Sequence, residues 1–375
     1  VSTDGVVRQR LKGHKGVIFK VDWNRDGTSL VSVSDDRPLR KWDLQARGKS
    51  SLKAAVLSAA SFKEQWAAFG HGARVWDCSF FSHGIITCGE DATCIVWGND
   101  GSLKRKLEVH SVKNVWCVAV TWDGSCAASG GADASVKLWN VQRHVQSAEI
   151  GTHLKSSAGN DAAAEIDGMQ CNLGSDEIFG RESRCQMRSL ILSRSGSVFA
   201  SSSAGHVNQL RSCPNGQFLP VPYFRENARK EKMSWCTLCL SHDESFIVAG
   251  SNRGKCRAFR TEADETEAAY VQWNAHETTC WRVFWGESRK RGEMLYEEPP
   301  CPVLLGRGKN TLLARECVIS SSATGDLSIW HTVSDKRLLD SPRCVGRFCL
   351  QGKTCFSCAW FGSNGYMFCG DNRGN

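Results

Sequence analysis

Three marks recur in one order between Val1 and Asn140: a His, an Asp, and a Trp six residues beyond that Asp. They are His14, Asp36 and Trp42, then His71, Asp91 and Trp97, then His110, Asp133 and Trp139. The His-to-Trp intervals, counted in positions, are 28, 26 and 29. A mark with a fixed order and a nearly constant period means one supersecondary unit used repeatedly. Such a unit is too small to bury its own apolar face, so its copies must stack on one another. This repeat constrains the fold more tightly than anything in the composition.

Each unit reads as short strands separated by turns. In the first, residues 17–21 suit an inner strand, 24–27 a turn, 30–34 a second strand, 35–37 a tight turn and 39–42 a third strand. The second unit repeats this at 73–80, 85–88 and 93–97, and the third at 115–120, 126–129 and 135–139. Later units are degenerate but keep the frame. Counting five residues on from the turn position lands on Leu210 after Gly205, Phe259 after Gly254 and Trp330 after Gly325. The Asp slot there holds Ala204, Arg253 and Thr324, which marks the blades whose loops the repeat constrains least. A seventh unit starts at Thr354 and has strands at 355–360 and 366–370 before the chain ends. Val6–Leu11 reads as an outer strand left over from a blade; closing a ring requires the terminal pieces to share a blade, and a place beside Tyr366–Gly370 is one arrangement that does so, with closure left open by the sequence.

Units of about 40 residues with a Gly-His and a Trp-Asp mark describe WD repeats. Here His14 and His71 follow Gly, His110 follows Val109, and only Trp42 is followed by Asp. The expected fold is therefore all-β, a seven-bladed WD-repeat β-propeller with six fairly complete blades plus terminal parts. The expected domain is a single one over residues 1–375, cut from a longer multi-propeller protein. Long polar loops are expected at 147–184 and 286–313. His14, Asp36, Trp42, His71, Asp91, Trp97, His110, Asp133, Trp139 and Trp330 are read as a structural network. Within a blade the His and Asp meet, tying its loops with satisfied buried polar groups.

Composition adds limits. There is no apolar run long enough to span a bilayer as a helix, no apolar core of a signal peptide at Val1 and no Asn-x-Ser/Thr acceptor. Nineteen cysteines is an odd number in a long chain, which reads as reduced, buried packing residues and a cytoplasmic location. The net charge of +8 permits a phosphate-rich or acidic partner.

Little in the sequence points to catalysis. Cys236/Cys239 and Cys355/Cys358 have a zinc-like interval, yet both pairs fall on inner strands, where i and i+3 face opposite ways. Gly306–Asn310 departs from a phosphate loop at Val303 and at Asn310. No nucleophile elbow, zincin or dinucleotide motif occurs, and the chain is read as not an enzyme.

The wording around the repeat is more specific than the repeat itself. Residues 13–19 with 34–42, 70–76 with 86–91 and 96–97, and 129–133 with 136–139 resemble the WD-repeat family that partners the FtsJ-type tRNA 2′-O-methyltransferase acting on the anticodon wobble nucleotide. The resemblance covers about residues 11–140. It implies a non-catalytic auxiliary subunit, with S-adenosylmethionine and the catalytic residues in the partner enzyme and no cofactor, metal, membrane insertion or small-molecule substrate here. It implies contact with the methyltransferase and with the tRNA anticodon region. Arg37, Arg74, Arg229, Lys230, Lys232, Arg289, Lys290 and Arg291 are the candidate RNA or partner contacts, weighed against ordinary solvated loops. Two other readings stay open: a protein-protein scaffold in signalling or trafficking without an RNA role, and a propeller that binds RNA with no enzyme partner.

Overall fold

In a computed structural model, the described residues are 9–24, 27–45, 61–133, 135–141, 169–174, 188–193, 198–203, 206–212, 218–225, 234–241, 243–261, 270–287, 316–334, 337–349, 356–361 and 367–374. They form antiparallel sheets, each built from consecutive strands. Blade 1 comprises β1 (Ile18–Trp23), β2 (Ser29–Ser34), β3 (Leu39–Gln45) and β4 (Ser61–Ala68). Blade 2 comprises β5 (Val75–Phe81), β6 (Gly84–Gly89), β7 (Thr93–Gly98) and β8 (Leu103–Glu108). Blade 3 comprises β9 (Val115–Val120), β10 (Ala127–Gly131), β11 (Ser135–Trp139) and β12 (Met169–Gly174). Blade 4 comprises β13 (Ser189–Leu192), β14 (Val198–Ser203), β15 (His206–Ser212) and β16 (Phe218–Arg225). Blade 5 comprises β17 (Trp235–Leu240), β18 (Phe246–Ser251), β19 (Lys255–Arg260) and β20 (Tyr270–Asn274). Blade 6 comprises β21 (Cys280–Glu287), β22 (Glu316–Ser322), β23 (Asp326–Ser334) and β24 (Arg337–Cys349). The last sheet pairs only β25 (Phe356–Phe361) with β26 (Met367–Asp371).

The inner strands meet in order around a central axis: β1 with β5, β5 with β9, β9 with β13, β13 with β17, β17 with β21, β21 with β25, and β25 again with β1. This is a β-propeller, as the repeat predicts. The expectation of seven blades is corrected to the extent that, among the described residues, six sheets have four strands and the last has two. Two further expectations change. The stretch 147–184, read as a loop, contains β12, which pairs with β11. Gln9–Leu11 is not in a strand; the Gln9 side chain bonds both ways to the Phe62 backbone on β4, at 2.8 Å each, rather than lying beside β26.

The core lies between blades. Val31, Val33 and Leu39 of blade 1 pack with Val75, Cys78, Ile85 and Trp97 of blade 2. Ile86, Cys88 and Val96 of blade 2 pack in turn with Val115, Val118 and Trp139 of blade 3. A middle strand is therefore covered on both faces, and β2, β6, β7 and β18 are buried along their whole length. The outer strand β8, by contrast, buries only Leu107. Five inner strands with described side chains, β1, β5, β9, β17 and β21, carry a β-bulge near their start. The bulged residue leaves the ladder, which re-aims its side chain.

Candidate functional site

The chemistry-bearing side chains gather at one end of the propeller, where the turn after each second strand meets the segment entering each first strand. In blade 1, His14 Nδ1 is 2.8 Å from Asp36 Oδ1 and Nε2 is 2.8 Å from Ser32 Oγ. Trp42 Nε1–H donates to the same Ser32 hydroxyl at 2.9 Å. Blade 2 repeats this: His71 lies 3.0 Å from Asp91 and 2.7 Å from Thr87 Oγ1, which accepts from Trp97 Nε1 at 2.8 Å. In blade 3, His110 joins Asp133 at 2.9 Å and Ser129 Oγ at 3.0 Å. With the carboxylate accepting from Nδ1–H, a neutral imidazole accepts at Nε2 from the hydroxyl, and the hydroxyl accepts from the indole. In blades 1 and 2 every member then has a partner.

The central hydroxyls escape a reading of the sequence. Their signal is a Ser or Thr ten residues before the Trp: Ser32, Thr87, Ser129 and Ser320. Blade 6 also holds a histidine that the period hides. His276 Nε2 is 2.8 Å from Ser320 Oγ, which accepts from Trp330 Nε1 at 3.0 Å. The Asp slot there is Thr324, whose hydroxyl donates to Asp326 instead. In blade 6, then, the network that Trp330 belongs to lacks only the carboxylate. Burial, with the positive field of Arg347, holds His276 down to about 4. For Asp91 and Asp133, burial alone would raise the carboxyl, yet hydrogen bonds from His71 and His110 pull each far below the usual carboxylate range.

The Ser–His–Asp geometry is that of a hydrolytic triad. Its chemistry is blocked by position. Ser32, Thr87 and Ser129 are 3%, 0% and 0% exposed, so no acyl group reaches the hydroxyl. In blades 1 and 2 the hydroxyl also already accepts the indole N–H.

A second polar group lines the channel itself. Lys20 Nζ on β1 is 3.1 Å from Asp77 Oδ1 on β5, and Arg282 Nη2 on β21 donates to the Phe19 carbonyl on β1 at 3.2 Å. That last bond joins blade 6 to blade 1 past the two-stranded sheet. Asp77 also accepts the Val118 amide of blade 3, Ser189 that of Leu238, and Thr237 that of Val283. One inner-strand side chain thus clamps the next blade at several joints of the ring. Asp22 accepts the Phe80 amide at 2.8 Å; burial raises its carboxyl to about 6 against the opposing pull of Lys20. The Lys20 ammonium, which burial would lower, is held above its ordinary value chiefly by Asp77. These residues fall outside the repeat mark, and sequence reasoning misses them.

Of the candidate contacts, Arg37 is exposed in the β2–β3 turn with φ 84°. Arg74 is exposed at the start of β5, its Nε 3.9 Å from Glu90 Oε2. Arg229, Lys230, Lys232, Arg289, Lys290, Arg291 and Ala204 lie outside the described residues, as do Cys355 and most of 286–313. Arg253 is exposed. Cys239 is buried between blades 5 and 6, whereas Cys236 is bulged with its thiol on the Ser234 carbonyl. Among the described residues no cluster of three or more His, Cys, Asp or Glu side chains forms a metal site.

Comparison with known proteins agrees with this architecture. The family "WD domain, G-beta repeat" matches residues 5–43, 63–98 and 101–140, so the chain carries WD40 repeats. Among curated proteins, the chain is 28% identical over 136 residues to the tRNA (34-2'-O)-methyltransferase regulator WDR6 of Mus musculus, covering 36% of this chain and 11% of that protein. The Drosophila melanogaster protein of the same name is 24% identical over 159 residues, 40% of this chain and 15% of its own length. The small ribosomal subunit protein RACK1z of Arabidopsis thaliana is 29% identical over 153 residues, 37% of this chain and 43% of its own. The matched part is thus a small fraction of the regulators' length.

Proposed function

We propose that this chain, a WD40-repeat propeller, is a non-catalytic auxiliary subunit that supports 2′-O-methylation of the tRNA anticodon wobble nucleotide by a partner methyltransferase. The observation that carries this reading is the similarity to proteins named as regulators of that methyltransferase, 28% identical over 136 residues in the mouse protein. Two structural facts agree with it. The triad-like hydroxyls are sealed, so the groups that most resemble catalytic ones are part of the framework. The ring is tied by side-chain clamps from blade to blade, which suits a rigid platform that holds other molecules.

In this reading the partner is of the FtsJ type, and S-adenosylmethionine and the methyl-transfer residues belong to it. The propeller is one domain of a longer cytoplasmic protein. The exposed Arg37 and Arg74, with Arg229, Lys230, Lys232, Arg289, Lys290 and Arg291, supply charge toward tRNA phosphates. The test is wobble-position 2′-O-methylation in cells lacking the full-length protein. Loss of the mark, restored by the intact protein, is expected; unchanged methylation overturns the reading.

A second reading is a protein-protein scaffold without an RNA role, which the WD40 repeats by themselves would serve. Pull-downs separate the two. A methyltransferase retained with this protein supports the first, and an RNase-insensitive set of partners without one supports the second.

A further inference from the structure

The bulged residues of neighbouring inner strands come together at the channel mouth on the His–Asp end. Phe19 of blade 1 packs on Trp76 of blade 2, ring centroids 4.6 Å apart and tilted by 56°. Trp76 packs on Trp116 of blade 3 at 5.0 Å and 41°. The next blade places Arg188 there, just ahead of the clamp residue Ser189, and its guanidinium lies 5.0 Å over the Trp116 ring. Arg74 sits 6.0 Å over Trp76. The bulged residue of blade 6 is Trp281, 46% exposed. Trp76 Nε1 donates to Asn114 Oδ1 at 3.1 Å, which fixes the indole. The Lys20–Asp77 pair and the Arg282–Phe19 bond lie on the same inner strands, beside these rim residues.

A buried core does not call for aromatic rings at this slot, because blades 4 and 5 manage with Arg188 and Cys236. We propose that the channel mouth ringed by Phe19, Trp76, Trp116, Arg188 and Trp281 binds the unpaired bases of single-stranded RNA by stacking. Flat aromatic and guanidinium surfaces side by side are what single-stranded bases stack on, and they need no sequence code. Charge selects among ligands of aromatic sites. The exposed Arg74 and Arg188 beside Trp76 and Trp116 make the rim positive, which disfavours a quaternary ammonium ligand of the aromatic-cage kind and favours an anionic chain. Lys15, Arg37 and Lys113 are exposed in the loops of the same end, positioned to face the phosphates. The choice of RNA rests on the function proposed above, whereas the site itself rests on the rim geometry.

The experiment uses the whole chain and a fluorescein-labelled nine-nucleotide oligouridylate, read by anisotropy and by quenching of tryptophan emission. An abasic oligonucleotide of the same length carries the same phosphates without bases. The expected result is quenching by oligouridylate, binding at least tenfold weaker for the abasic strand, and a tenfold loss in the double variant R74E/R188E. Lys104→Glu, on the outer strand β8, is expected to leave affinity unchanged. Equal binding of the abasic strand overturns the proposal, as does full affinity in R74E/R188E or equal competition by a polyglutamate peptide, which would make the rim an acidic-protein site. Trp76→Leu adds a direct test of stacking; if it fails to fold, the abasic comparison on the unaltered chain still decides. Failure here with methylation lost in the absence of the protein removes only the rim site. Binding here with methylation unchanged removes only the methyltransferase reading.

Discussion

His71 touches Asp91, Thr87 and, at 3.3 Å, Thr93, so one imidazole satisfies three buried or half-buried polar groups. Replacing it with Ala removes the acceptor of the Thr87 hydroxyl and one donor to Asp91, which keeps those of Gly72 and Thr93, and an unsatisfied buried polar group costs about 1–3 kcal/mol. His71→Ala is expected to lower unfolding free energy by ~2–4 kcal/mol in urea titration; a loss under ~0.5 kcal/mol would mean that the network is ornamental. A pH test concerns two other groups. Asp22, raised to about 6, adds stability that is full below pH ~3.8 and lost as pH rises through 6. His276, held at about 4, adds stability that is full above pH ~6.5 and lost as pH falls through 4. Between pH 6 and 4 the two oppose each other, so their summed effect is nearly flat. Asp22→Asn should unmask acid destabilisation on the order of 1 kcal/mol between pH 6.5 and 4.5, after discounting for solvent screening at half-buried sites. His276→Gln should shift the same comparison in the opposite direction. Urea midpoints at the two pH values check both signs.

The turn after each second strand shows how far an element is legible in the sequence. The residue following the Asp slot has positive φ wherever it is described: Arg37 at 84°, Ala92 at 66°, Gly254 at 71° and Gly325 at 91°. An added methyl at Gly254 would meet the His276 and Thr278 carbonyls. Gly254→Ala is therefore expected to cost ~2 kcal/mol or more, while Ala92→Gly, which relieves a left-handed non-glycine residue, is expected to gain up to ~1 kcal/mol. Thermal unfolding of the two variants tests the asymmetry; a loss in Ala92→Gly would contradict it. The third strands and these turns can be read because the Trp, Asp and Gly marks sit on them. The fourth strands cannot. β8 buries one residue and carries Leu103, Lys104 and Lys106 exposed, so it offers no clear alternation. β12 reads as part of a polar loop because its flanking sequence dominates the composition. His276 escapes the period because it stands 54 positions before Trp330, far outside the interval of the first three repeats.

At the scale of the whole molecule, the repeat foretells a propeller but not what holds the ring shut. Lys20, Asp77 and Arg282 lie on different repeats, up to 262 positions apart, and only the closed topology brings them together. The rim aromatics are illegible for the same reason: each is one bulged residue in its own repeat, without local meaning. Closure rests on β25 lying between β21 and β1, and on the Arg282 bond to the Phe19 carbonyl. Removing residues 350–375 takes away β25 and β26 and exposes the facing sides of blades 1 and 6. Newly exposed apolar strand surface favours self-association. The truncated chain is expected to unfold at a temperature several degrees lower and to elute as oligomers in size-exclusion chromatography, where the full chain elutes as a smaller species. Arg282→Met keeps the stem but deletes the cross-ring donor, so it should lower the unfolding temperature without producing oligomers. If the truncation leaves both readouts unchanged, the last sheet is not what closes the ring. The clamps between blades would then carry the propeller as an open arc.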